Sequence, residues 1–137
     1  MNYLLDTNAC IALMNDRQPN VRKHFEEAVD GGHALCISTI VTFELWYGVE
    51  KSTRRDFNHR RLEAFLSENF IPLPFENEDA RIAGAIRASL QMIGQPIGAY
   101  DLLIASQALR HNLTLVTANV AEFARVRNLL WEDWAQA

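Results

Sequence analysis

Short apolar runs alternate along the chain with segments whose apolar residues recur at spacings of three and four. Runs of strand length span residues 3–5, 34–37, 70–73 and 113–117, with a weaker one at 129–131. Helical spacing appears at 9–14, 21–29, 40–49, 61–66, 80–92 and 102–109. Strands separated by helices indicate crossover connections between parallel strands. The pattern therefore predicts an α/β fold with a mostly parallel sheet.

Length and composition favour one domain spanning residues 1–137. The chain is 49% hydrophobic, which is enough for a core without disulfides, and the apolar settings of Cys10 and Cys36 predict small buried side chains. No run approaches the length of a membrane span, and the first residues lack the basic lead-in of a signal peptide. We expect a cytoplasmic protein without membrane association.

Three carboxylates lie among residues that are normally buried: Asp6 after the first strand run, Glu44 within IVTFELWYG, and Asp101 at the start of DLLIASQAL. Asn119 follows the strand run LTLVT. Side chains after parallel strands meet at one edge of the sheet, so these four are expected to converge. Buried carboxylates need compensation, and hard oxygen ligands without a His or Cys set suit Mg²⁺ or Mn²⁺. The expected chemistry is phosphoryl transfer or phosphodiester hydrolysis.

Each of these residues also has a simpler interpretation. Asp6 could cap the helix that starts near Ala9, and Asp101 could complement a helix dipole. Asn119 is a common residue type for a turn after a strand. Glu44 is harder to explain without a ligand, because its neighbours Phe43 and Leu45 are apolar. The joint occurrence of the four carries the prediction.

Positive charge is concentrated although the formal net charge is −4. Five of the 13 Lys and Arg residues lie in KSTRRDFNHRR, opposed only by Asp56: Lys51, Arg54, Arg55, Arg60 and Arg61. This stretch could hold a phosphate backbone, or it could be a solvated helix face or an intersubunit patch. The aromatic residues near the acids, Trp46, Tyr47 and Tyr100, are candidates for stacking on nucleic-acid bases, with core packing favoured for Trp46.

Two other classes of acid-bearing α/β proteins do not fit. A haloacid-dehalogenase-type phosphatase needs a second acid two residues after the first, where this chain has Asn8. A phospho-receiver domain needs a Lys after a late strand, where this chain has Ala118 and Asn119.

The chain resembles the PIN-domain ribonucleases, and among them the VapC toxins of bacterial toxin–antitoxin systems. The resemblance rests on five pieces in order: YLLDTNACI, CISTIVTFELWYGVEKS, PIGAYDLLIASQAL, LTLVTANVAEFARV and LLWEDW. It implies a three-layer α/β/α sandwich and a Mg²⁺- or Mn²⁺-dependent endoribonuclease. It also implies a VapB-type antitoxin as partner, and a toxin homodimer within a larger complex.

Carried onto this sequence, the family's three acids are Asp6, Glu44 and Asp101. Many members have a fourth acid where this chain has Asn119, which puts a tightly held second metal in doubt. Glu122 could supply charge through water, although an exposed helix position is the simpler interpretation. The polar side chains expected to orient the ligands or the attacking water are Thr7, Asn8, Ser38 and Thr117.

The predicted reaction is hydrolysis by a metal-activated water, which leaves 5′-phosphate and 3′-hydroxyl ends. Because some toxins of this class cut initiator tRNA, tRNA is the first substrate to consider. The RNA contacts are assigned to Arg54, Arg55, Arg60 and Arg61. The alternative function is a catalytically weak PIN-like module that binds RNA or antitoxin.

Overall fold

A five-stranded sheet organises the chain in the computed structural model, which describes residues 1–136. The strands are β1 (Tyr3–Leu5), β2 (Leu35–Ser38), β3 (Ile71–Leu73), β4 (Thr114–Val116) and β5 (Trp131–Glu132). Their spatial order is β3-β2-β1-β4-β5, and all four neighbouring pairs are parallel. The predicted mostly parallel sheet is therefore confirmed.

Helices fill the connections between the strands. They are α1 (Thr7–Asn15), α2 (Pro19–Asp30), α3 (Thr39–Glu50), α4 (Arg55–Leu66), α5 (Asn77–Met92), α6 (Ala99–Arg110) and α7 (Val120–Phe123). Every residue of β2 and β4 is buried. Because successive strand residues point to opposite faces, both faces of the sheet are covered, as the α/β/α sandwich requires.

The sequence misplaced some element boundaries. Helix α4 begins at Arg55 rather than residue 61, because its first turns are polar and exposed and carry no apolar periodicity. The short α7 was not predicted, and β5 lies at Trp131–Glu132 rather than 129–131. Both cysteines are free and buried, as expected.

The order of the strands fixes where a ligand can bind. The chain steps from β1 to β2 and β3 on one side, then returns to place β4 on the other side of β1. In open parallel sheets such a reversal leaves a crevice at the carboxyl ends of the two strands concerned. Here those strands are β1 and β4, which Asp6 and Thr117 follow directly. No helix among residues 1–136 is long and apolar enough to cross a membrane.

Candidate metal centre

Asp6 lies at the carboxyl end of β1 and is only 6% exposed. Its backbone N–H donates to the carbonyl of Val116 at 3.1 Å, which joins it to the end of β4. Its Oδ1 accepts a hydrogen bond from the backbone N–H of Ala9 at 2.8 Å and so caps α1. The capping interpretation is therefore correct for one carboxylate oxygen. Burial raises the pKa of Asp6 most, and the charges of Glu44 and Asp133 add to that rise.

Asp101 occupies the first turn of α6, half-buried beside Glu122. Burial is the main cause that raises the pKa of Asp101, from 3.8 to about 7. A hydrogen bond with Glu122 and the charges of Glu122, Asp6 and Glu44 contribute further. The pKa of Glu122 is lowered, because Asn119 and Asp101 donate hydrogen bonds to it. The opposite directions of the two shifts make Asp101 the more readily protonated of the two carboxyl groups.

Asn119 joins this pair from the end of β4, at the N-cap of α7. Its Nδ2 donates to Oε2 of Glu122 at 2.5 Å and lies 3.4 Å from Oδ2 of Asp101. The backbone N–H of Gly98 donates to the other Glu122 oxygen at 2.9 Å. The sequence placed an Asn119 oxygen at the rim of the site, whereas its amide nitrogen faces the acids here. Asn119 therefore orients carboxylates in this structure.

Glu44 reaches the same region from α3, about one turn after the end of β2. It is half-buried, and its Oε1 accepts a hydrogen bond from Oγ1 of Thr7 at 2.7 Å. Its negative charge contributes to the raised pKa values of both Asp6 and Asp101. Three separate elements thus bring the three predicted acids close enough for the charge of Glu44 to act on Asp6 and Asp101, and for the charge of Asp6 to act on Asp101.

Of the four polar residues expected to support the acids, two contact an acid directly and two do not. Thr7 contacts Glu44, and Thr117 is a hydrogen-bond partner of Asp6 while its Oγ1 accepts from the Asn119 backbone at 2.9 Å. Ser38 is fully buried and caps α3 by accepting from the Ile40 N–H, so it positions the helix that carries Glu44. Asn8 is exposed, and in residues 1–136 its side chain makes no hydrogen bond to the acids.

The donor chemistry of the cluster fits a hard divalent cation. The main causes that raise the pKa values of Asp6 and Asp101 are burial and other carboxylates. A cation would relieve both causes, and oxygen donors suit Mg²⁺ and Mn²⁺. As the side chains stand, no group of three His, Cys, Asp or Glu residues within 1–136 is arranged to hold a metal ion.

Sequence reasoning missed one acid near the cluster, Asp133, and interpreted another, Glu122, as an exposed helix residue. Glu122 is half-buried and hydrogen-bonded to the site, not an exposed helix residue. Asp133, which follows β5, raises the pKa of Asp6 through its charge. The offset of three residues between Asn119 and Glu122 signals a helical first turn, which would have brought Glu122 to the rim. Asp133 had no comparable local signal, since its position depends on β5 pairing with β4.

The arginines of the basic stretch, residues 51–61, differ in their contacts. Arg61 donates from Nη2 to the carbonyl of Met14 at 2.8 Å, so it fastens α4 to the end of α1. Arg55 pairs with Glu50 at 3.5 Å, and Arg54 lies over the Phe57 ring at 4.1 Å. Arg60 is exposed. Exposed arginines thus lie both at the start of α4, as Arg54 and Arg55, and further along it, as Arg60.

Comparison with known proteins places these features in context. A PIN-domain family model matches residues 3–129. "Ribonuclease VapC2" of Rickettsia felis is 40% identical over 134 residues, which cover 98% of each chain. "tRNA(fMet)-specific endonuclease VapC" of Shigella flexneri is 37% identical over 135 residues, covering 98% of this chain and 99% of that one. The crystal structure of VapBC2 from Rickettsia felis, bound to a DNA fragment from its promoter, contains a chain that matches with a TM-score of 0.89. That match has 37% identity and covers 96% of this chain and 98% of the other.

Proposed function

Because the chain belongs to the PIN-domain family, among its VapC ribonucleases, we propose that it cleaves RNA at the cluster of Asp6, Glu44 and Asp101 as the toxin of a toxin–antitoxin pair. The observation that carries this assignment is the crowding of carboxylates at the β1–β4 crevice, where burial and neighbouring acids raise the pKa values of Asp6 and Asp101. Such an arrangement raises the pKa values of its own acids, so it is costly for the isolated fold. A divalent cation bound to the carboxylates, and a phosphate bound to that cation, would compensate for this cost.

Ribonucleases of the PIN family are generally dependent on divalent metals. For this chain we assign Mg²⁺ or Mn²⁺ to Asp6 and Asp101, with Glu44 either ligating directly or orienting water. When bound, such an ion supplies positive charge at the scissile phosphate and activates water for attack. Asn119 and Glu122 would hold Asp101 in place and govern when it loses its proton.

The hydrogen bond from Thr7 gives Glu44 a defined role. It engages Oε1 and leaves Oε2 able to accept a hydrogen bond from the attacking water. Water adds to phosphorus and gives up one proton, the bond between phosphorus and O3′ breaks, and the leaving O3′ takes up one proton, so the step balances with water as the only co-reactant. The products carry 5′-phosphate and 3′-hydroxyl ends.

The substrate and partner proposals rest on the relatives. The Shigella flexneri relative is named for cleavage of tRNA(fMet), and we propose tRNA as the first substrate class to test. The matched structures are VapBC complexes, so the expected partner is a VapB-type antitoxin. A toxin homodimer within that complex is the proposed assembly, which sedimentation of the purified complex tests.

The decisive experiment uses chain freed of antitoxin, incubated with total tRNA in Mg²⁺, Mn²⁺ or EDTA, with the cut ends mapped. Asp6→Asn is the sharpest variant, because asparagine keeps the oxygen that caps α1 while it removes the charge. Asp56→Asn, at an exposed position on α4, is the matched control. We expect metal-dependent cuts with 5′-phosphate ends, abolished in Asp6→Asn and kept in Asp56→Asn.

Two results would change the assignment. Cuts that persist in EDTA and in Asp6→Asn would refute the carboxylate mechanism. Failure to cut tRNA, ribosomal RNA and messenger RNA in any metal would favour the catalytically weak binding module instead.

A further inference from the structure

The segment that leads into α6 is held at both of its ends. Residues 93–98 connect α5 to α6. At the start of the segment, the backbone N–H groups of Gly94 and Gln95 donate to carbonyls in the last turn of α5, at 3.1 and 2.9 Å. Gly94 has a φ of 69°, in the left-handed region that favours glycine. The first half of the segment is therefore held by α5.

Two side chains from the turn around α7 hold the other half. Nη1 of Arg125 donates to the carbonyl of Pro96 at 2.8 Å. Oε1 of Glu122 accepts from the backbone N–H of Gly98 at 2.9 Å. The backbone N–H of Arg125 donates to the carbonyl of Glu122 at 3.0 Å, so both side chains come from one turn. Glu122 and Arg125, called the α7 clamp below, thus contact the backbone on both sides of Ile97.

The base of the α7 clamp is buried. Phe123 and Val126, which follow its two members, are 1% and 5% exposed. At the start of α7, the backbone N–H of Asn119 donates to Oγ1 of Thr117 at 2.9 Å. Thr117 is also a hydrogen-bond partner of Asp6. The clamp is therefore fixed to the part of the sheet that carries the first acid.

The start of α6 depends on this clamp. Gly98 is the N-cap of α6 and has no side chain that could accept a hydrogen bond from the first turn. Its carbonyl accepts from the N–H of Leu102 at 3.1 Å, which begins the helix. A Cβ at position 98 would lie 3.5 Å from Oδ2 of Asp101, so the Gly98 backbone lies against that carboxylate. Displacing Gly98 would therefore displace the first turn of α6 and the Asp101 carboxylate with it.

We infer that Arg125 is a positioning residue for the proposed cleavage: by holding Pro96 it fixes the first turn of α6, and so places the Asp101 carboxylate towards the other acids. Arg125 acts through the backbone of the segment and not on the substrate. Misplacing a reacting group by about 1 Å can cost about 100-fold in rate, so a contact outside the acid cluster can govern cleavage. This inference rests on the proposed ribonuclease function and adds a residue that the three acids do not include.

Amide hydrogen exchange of the full chain in EDTA, followed by NMR, tests the clamp without cleavage. Arg125→Ala removes one hydrogen bond and is expected to raise the exchange rates of Gly98 and Leu102 about 3- to 10-fold. Exchange at Gln95 should not change, because α5 holds that residue. Arg125→Lys keeps a donor and the charge, so it should restore most of the protection. Arg127→Ala is the matched control, because Arg127 is also exposed and carries the same charge.

Cleavage in Mg²⁺ of the RNA that the parent cuts tests the consequence for the reaction. Arg125→Ala should lower kcat about 10-fold and leave KM within about twofold, because a displaced carboxylate matters most in the transition state. Arg125→Lys should restore most of kcat, and Arg127→Ala should match the parent. Circular dichroism under the assay conditions checks that each variant is folded.

Several results would overturn this inference in a parent that cleaves RNA. Parental exchange at Gly98 and Leu102, or a parental kcat, in Arg125→Ala would show that Arg125 does not position the site. A raised KM with unchanged kcat would make Arg125 an RNA contact, and faster exchange at Gln95 as well would make its role a general structural one. A parent that cleaves no RNA would instead refute the proposed function, and with it the role of Arg125 in cleavage.

Discussion

Replacing Asp101 with asparagine should stabilise the metal-free protein at alkaline pH. Burial and neighbouring acids raise the pKa of Asp101 from 3.8 to about 7, so its ionised form is disfavoured in the folded state. Below the unfolded pKa the carboxyl is protonated in both states and costs nothing. As pH rises toward 7 the unfolded chain ionises first, and stability falls; above 7 the full penalty is present. Asparagine removes that penalty.

The magnitude follows from the distance between the two pKa values. A change from 3.8 to about 7 corresponds to a ceiling of about 4 kcal/mol at pH 8. Asp101 is only half-buried, so solvent screening reduces this to about 1–2 kcal/mol. Losing an acid from the first turn of α6 takes back about 0.5 kcal/mol. We therefore expect a net gain of about 1 kcal/mol, or about 3–5 °C in Tm.

Urea unfolding in EDTA at pH 4.5 and pH 8 measures this effect. Asp101→Asn should exceed the parent much more at pH 8 than at pH 4.5, where only a small part of the penalty is present. When EDTA is replaced by Mg²⁺, the ion should stabilise the parent more than the variant. Asp56→Asn is the control, because Asp56 also lies in the first turn of a helix but is exposed on α4. An Asp101→Asn protein that is less stable than the parent by the same amount at both pH values would refute the reasoning.

Three further predictions concern the residues around the acids. Glu122→Gln should lower the pKa of Asp101 toward its ordinary value, because the negative charge that raises it is lost. Titration followed by carboxyl-carbon NMR measures this pKa, and a value that stayed near 7 would contradict the prediction. Thr117→Val should raise the pKa of Asp6 further and cost about 1–2 kcal/mol in urea unfolding, since two hydrogen bonds are removed, and Thr117→Ser should restore both. Arg61→Ala should destabilise the fold by about 1–2 kcal/mol through loss of its bond to α1; equal stability of parent and variant would refute that contact.

The fold could be predicted largely because its strands carry strong local signals. Each of the four main strand runs corresponds to an observed strand. For β1, β2 and β4 the reason is burial, since buried parallel strands read as short continuous apolar segments, whereas β3 is an exposed edge strand whose residues are apolar all the same. The first half of α4 was missed because a polar, exposed helix has no apolar periodicity. The boundaries of β5 depend on backbone pairing with β4, and a two-residue strand is too short to show an apolar pattern in the sequence.

The site was predictable to the extent that strand ends determine it. Asp6 and Asn119 follow β1 and β4, so their approach follows from the parallel topology alone. The orientation of a side chain does not follow from the topology. The sequence could not show that the Asn119 amide nitrogen would face Asp101 and Glu122, or that Arg61 would be used to hold α4 against α1.

Asn119 is uncharged, yet a negative group lies next to Asp101 at the rim of the site. Glu122 lies three residues later, and the first turn of α7 brings its carboxylate back to Asp101. Asn119 supplies the donor that fixes Glu122 there, with a second donor from the Gly98 backbone. Asn119 also lies within hydrogen-bond distance of Asp101, so one amide contacts both carboxylates. Glu122 in turn raises the pKa of Asp101 through a hydrogen bond and its charge, so position 122 supplies the negative group next to Asp101 that position 119 lacks.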